Sequence, residues 1–153
     1  MPSVKKAEAR AFWDTSALAL LCAHQPATGQ ARRLARRCRM LTVWWATPVE
    51  ARSVFLRLQR EGAMDLGELA DALKRLDRLR QSVAEILPTQ EVRQTAESML
   101  DKYALRAADA FQLAAAIVDC RGQARDRWFV CYDRKLRVAA EVAGFTLLPL
   151  EGR

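Results

Sequence analysis

Along this chain, short runs rich in β-branched and aromatic residues alternate with longer stretches of helical periodicity. A short buried strand ends at Ala11-Phe12-Trp13, and a second spans Leu41 to Trp45. Further strands are expected at Ala84 to Leu87, Trp128 to Tyr132 and Phe145 to Leu148. Helical patterns fill the intervals: Ser16 to Ala23, Thr28 to Arg39, Thr47 to Glu61, Leu66 to Leu79, Thr89 to Lys102, Ala107 to Cys120 and Arg134 to Ala143. Pro48 sits where a first helical turn tolerates it, and Gly62 and Gly144 mark helix stops. Leu66, Leu69, Leu73 and Leu76 recur at helical spacing, and this helix suits the core better than an exposed docking face. Strands alternating with helices imply a parallel sheet covered on both faces. The expected fold class is α/β, a single-domain α/β/α sandwich around four to five short strands. A length of 153 residues suits one domain over 1–153, with its core at about 11–149.

Hydrophobic residues make up 51% and charged residues 28%, a globular balance rather than a disordered one. No apolar run approaches the roughly 20 residues that cross a bilayer. Met1 to Arg10 is polar and lacks the apolar centre of a signal peptide, so a cytoplasmic location is expected and no membrane partner. Cys22, Cys38, Cys120 and Cys131 form no Cys-x-x-Cys pair, and His24 is the single histidine. Free buried thiols are therefore expected rather than a zinc site. The formal net charge is +7 and Arg supplies most of the 25 basic residues. A basic surface favours nucleic acid, although Arg-rich and Ala-rich composition alone could produce it. Arg32, Arg36 and Arg39 fall on one face of the second helix, fit either to contact RNA backbone or simply to be solvated.

Right-handed crossovers bring the C-terminal ends of parallel strands to one edge, where ligands of open α/β sheets bind. Asp14 follows the first strand, Asp133 follows the strand ending at Tyr132, and Glu50 follows the second strand by one helical turn. Asp109 lies near the start of an Ala-rich helix whose N-terminal end can reach the same crevice. Each acid also has a plainer role open to it. Asp14 and Asp133 suit helix N-caps, Thr47-x-x-Glu50 suits a capping box, and Asp109 suits the positive end of its helix. Taken jointly, carboxylates crowded at apolar strand ends are costly to desolvate and repel one another. A divalent cation reverses that penalty, and all-oxygen ligation selects Mg²⁺ or Mn²⁺. Such an ion activates water and orients a phosphodiester. Thr15 and Ser16 add hydroxyls beside the expected metal and phosphate, or cap the first turn.

Four stretches, Phe12-Trp13-Asp14-Thr15-Ser16-Ala17-Leu18, Thr47-Pro48-Val49-Glu50-Ala51-Arg52-Ser53, Leu105 to Ala116 and Phe129 to Leu136, resemble in order and spacing those of a PIN domain. From about Ala11 to Pro149 the chain is similar to a VapC-type toxin of a toxin–antitoxin pair. The resemblance implies an α/β/α sandwich and a Mg²⁺- or Mn²⁺-dependent endoribonuclease. It also implies inhibition by a cognate antitoxin protein and commonly a homodimer. Carried over residue by residue, Asp14, Glu50, Asp109 and Asp133 form the acidic catalytic and metal-binding cluster. The family often has Thr or Ser two residues before the last acid, where this chain has Cys131. A housekeeping nuclease of the same fold, in RNA maturation or on structured DNA, is the alternative within enzymes. Outside enzymes the alternative is a non-catalytic nucleic-acid-binding module.

Overall fold

The computed structural model describes residues 10–151, so the polar stretch before Arg10 lies outside the described residues. Twelve elements follow in order: β1 (Arg10–Trp13), α1 (Thr15–Cys22), α2 (Thr28–Arg37), β2 (Met40–Trp44), α3 (Thr47–Arg60), α4 (Leu66–Arg80), β3 (Ala84–Ile86), α5 (Gln90–Lys102), α6 (Ala107–Asp119), β4 (Trp128–Val130), α7 (Arg134–Val142) and β5 (Thr146–Leu148). Every expected strand and helix is present, with its bounds moved by one or two residues at most. Gly62 (φ 77°) and Gly144 (φ 105°) end α3 and α7 in the left-handed conformation that glycine adopts without strain.

The sheet has five strands in the order β3-β2-β1-β4-β5, all parallel. Alternation along each strand sorts side chains between two cores. Ala11, Trp13, Val43 and Val130 face the core shared with α1 to α4. Phe12, Trp44 and Phe129 face the core shared with α5 to α7. The result is an α/β/α sandwich. Small residues let α6 lie close to the sheet, with Ala110, Ala114 and Ala115 fully buried. In α4, Ala72 and Leu76 are buried and Leu69 and Leu73 pack on the first core, whereas Leu66, at the helix start, is exposed. The four cysteines are free. No helix among the described residues is long and apolar enough to cross a membrane.

The strand order fixes where a site can form. From β1 the chain moves outward through β2 to β3, then crosses to the other side for β4 and β5. The order reverses between β1 and β4, which opens a crevice at their C-terminal ends. Asp14 follows β1 there, and Cys131, Tyr132 and Asp133 follow β4.

Candidate active site

At the floor of the crevice, Asp14 is 3% exposed. It ends β1 and caps α1, its Oδ1 accepting the Ala17 N–H at 3.0 Å. The Ser16 hydroxyl lies 2.7 Å from Oδ1 and 2.9 Å from Oδ2, and donates to this carboxylate. The Cys131 thiol donates to Oδ2 at 3.2 Å. Burial raises the Asp14 carboxyl to about 6, against the opposing pull of the Ser16, Ala17 and Cys131 hydrogen bonds. Burial, and after it the Asp14 charge, push the Cys131 thiol up, so it remains a donor. Ser16 is itself held, because the Tyr132 N–H donates to its oxygen at 2.9 Å. That bond ties α1 to the end of β4 across the topological switch.

The second cluster joins the two helical layers. Thr15 donates from Oγ1 to Glu50 Oε2 at 2.6 Å. The Gln112 amide, reaching from α6 on the other face, lies 2.9 Å from Thr15 Oγ1, 3.0 Å from Thr47 Oγ1 and 3.1 Å from Glu50 Oε2, and donates to them. Gln112 is 2% exposed, and its Oε1 is buried with no partner among the described residues. The capping box read at Thr47 and Glu50 is not formed. Thr47 is buried as the first residue of α3, Ala46 holds the cap position without a side-chain bond, and Glu50 is engaged by Thr15 and Gln112.

Asp109 and Asp133 complete the acidic surroundings. Burial first, then the charges of Asp133 and Glu50, hold the Asp109 carboxyl above its usual range, against Arg106 and Lys135. Asp109 therefore faces the charges of both Asp133 and Glu50. Asp133 also caps α7, accepting the Leu136 N–H at 3.0 Å. With the side chains in this arrangement, no three acids among the described residues stand close enough to hold one ion. The donor set is nonetheless of the kind Mg²⁺ and Mn²⁺ select, all oxygen, and the repulsion felt by Asp109 is what a cation would relieve.

The basic helix face differs from the sequence reading. α2 ends at Arg37, and Cys38, its N–H turned to Ala35 O at 3.1 Å, has extended backbone. Arg39 therefore lies beyond the helix and off the face that carries Arg32 and Arg36, both exposed. The sequence gives no site role to Gln112, Thr47 or Cys131, which the structure places in hydrogen-bond contact with the acids or their partners. A signal for Gln112 existed: an amide one turn after Asp109 inside an otherwise apolar helical run. Cys131 had only its place two residues before Asp133 to mark it.

No family model and no curated protein matches the chain. Solved structures do match. Over 92% of this chain and 90% of the other, it superposes on PAE2754 from Pyrobaculum aerophilum with a TM-score of 0.61 at 19% identity. It superposes on Mycobacterium tuberculosis VapC20, described as a sarcin-ricin loop cleaving toxin, with a TM-score of 0.60 at 21% identity, covering 89% of this chain and 96% of the other. FitAcB from Neisseria gonorrhoeae gives 0.61 at 16% identity, over 89% and 96%. The chain has the PIN-domain fold. In this PIN fold the crevice between β1 and β4 is the place where Asp14 and Asp133 meet α1 and α7.

Proposed function

We propose that this protein is a Mg²⁺- or Mn²⁺-dependent endoribonuclease, the toxin of a toxin–antitoxin pair. The observation that carries the reading is buried Asp14 at the switch point of a PIN fold, with Asp109 nearby facing the charges of Asp133 and Glu50. VapC20, of the same fold, is described as a toxin that cleaves the sarcin-ricin loop. We assign Asp14, Glu50, Asp109 and Asp133 to hold the ion, with Asp133 the most peripheral because it alone of the four is exposed. The ion supplies electrophilic activation of water and of the phosphodiester.

The chain's own residues prepare that chemistry. Thr15 and Gln112 both bond Glu50 at Oε2, which leaves Oε1 without a hydrogen bond among the described residues and available to the ion. Ser16 and Cys131 fix the Asp14 carboxylate before any ligand arrives. Exposed apolar side chains border the acids: Trp45 follows β2, Val49 precedes Glu50, and Leu87 follows β3. Trp45 N–H bonds Ile86 O at 3.0 Å, so Trp45 and Leu87 emerge side by side. Such a patch suits a protein partner, an antitoxin or a second copy of the chain.

Purified protein should cleave single-stranded RNA with Mg²⁺ or Mn²⁺ and stop when a chelator is added. Asp109→Asn should reduce cleavage by about a hundredfold or more, as loss of a metal ligand does. Full cleavage after chelation and dialysis would overturn the metal mechanism. A neighbouring reading frame for a small antitoxin would separate a toxin from a housekeeping nuclease.

A further inference from the structure

A groove of about 440 Å³ adjoins the acids, and neither Asp14, Glu50, Asp109 nor Asp133 lines it. It begins at Thr15 and Ser16, the hydroxyls that hold Glu50 and Asp14. A molecule bound at the carboxylates would therefore extend directly into it. Leu20 and Val54 give it an apolar floor, while Gln25, Arg57 and Tyr132 supply polar and aromatic rims. Its walls come from α1 and the turn after it, from α3, and from the segment between β4 and α7.

Tyr132 is fixed at both ends. Its backbone N–H donates to Ser16 at 2.9 Å, and its phenol donates to Gln30 Oε1 at 2.9 Å. The ring is thereby locked in place before a ligand arrives, which reduces the entropy lost on binding. An apolar floor excludes phosphate as the main occupant, because phosphate would surrender its hydration against Leu20 and Val54. An aliphatic side chain of a protein partner would fill the floor but leave the Gln25 amide and Arg57 guanidinium unmatched. A nucleobase satisfies both, with a flat face for Tyr132 and Arg57 and an edge that exchanges hydrogen bonds with Gln25. In a duplex the base would be stacked and unable to enter.

We infer that this groove takes an unstacked nucleobase of single-stranded RNA, next to the bond cleaved at the carboxylates. The inference rests on the nuclease reading for which base is bound, but its test does not need cleavage. Affinity of short labelled single-stranded oligoribonucleotides is measured by fluorescence anisotropy with chelator present. Val54→Trp, which fills the floor, and Arg57→Ala, an exposed change that spares the fold, should each weaken binding about tenfold. A scan of single abasic residues along the oligonucleotide should find a position whose loss weakens binding to wild type by a similar factor. The same RNA should then bind Val54→Trp no more weakly than intact RNA does. Wild-type affinity in both variants would overturn the inference and leave the groove to a protein partner. An abasic penalty equal in wild type and Val54→Trp would overturn it too. A wild type that binds RNA with this pattern yet cleaves none in Mg²⁺ would instead refute the nuclease reading alone.

Discussion

A buried carboxylate with no cation beside it makes folding depend on pH, and Asp14 supplies the sign. Its folded value of about 6 exceeds the ordinary 3.8. Between those values the folded chain keeps a proton that the unfolded chain has released. Stability from this residue therefore falls as pH rises through that window, by about 3 kcal/mol at most, and the loss is complete above pH 6. Asp14→Asn does not titrate and keeps an oxygen for the Ala17 N–H. In chelator it should melt at or above the wild-type temperature near neutral pH, and the gap should close towards pH 4. Asp109 and Asp119 are also held high, but they are common to both proteins and cancel in the comparison. Mg²⁺ should raise the wild-type melting temperature more than the variant's, because the ion binds the folded state. A gap that stays constant across the acid range would remove Asp14 as its source.

At the scale of elements, two segments carry the same local signature and behave differently. Asp65-x-x-Glu68 forms a full capping box at α4, with Glu68 N–H to Asp65 Oδ1 at 2.7 Å and Asp65 N–H to Glu68 Oε2 at 2.8 Å. Thr47-x-x-Glu50 forms none, because Gln112 and Thr15 offer its side chains tertiary partners. Asp65→Ala should cost about 1 kcal/mol and lower the melting temperature by a few degrees, with RNA cleavage unchanged. Glu50→Gln should instead abolish cleavage with a small effect on melting. Equal loss of cleavage in both variants would mean the activity follows stability alone. The same contrast marks how far the sequence is legible. Strands and helices follow from periodicity and from Pro48, Gly62 and Gly144, which are local. The unwinding at Cys38 is not legible, since Arg36-Arg37-Cys38-Arg39 holds no Gly or Pro to stop a helix. The places of Asp14, Glu50 and Asp133 follow from strand ends. The bonds that hold them depend on Gln112 and Cys131, distant in sequence and brought near only by the fold.

For the whole molecule, the question is which parts of a surface with net charge +7 meet RNA. α2 runs from the crevice edge of the sheet to the opposite edge, so its arginines are sorted by distance from the acids. Near its start, Gln30 bonds Tyr132. Burial pushes the Tyr132 phenol up, while Arg137 and Arg33 oppose it, so Arg33 lies within electrostatic reach of the crevice end. At its far end, Arg37 lies 5.2 Å over the ring of Trp128, which opens β4 and so marks the edge away from the acids. Removing one arginine that pairs with a phosphate should flatten the dependence of log affinity on log salt by about 0.7 for a single strand. Arg33→Ala should show that change. Arg37→Ala should leave the salt slope as it is and instead lower stability by about 0.5 to 1 kcal/mol, because it removes the cation–π pair with Trp128. Salt titrations of oligoribonucleotide binding, paired with melting scans, separate the two. An unchanged slope in Arg33→Ala would show that the charge of α2 is only a solvated face, and an equal flattening in both variants would show that RNA meets α2 along its length rather than at the crevice end.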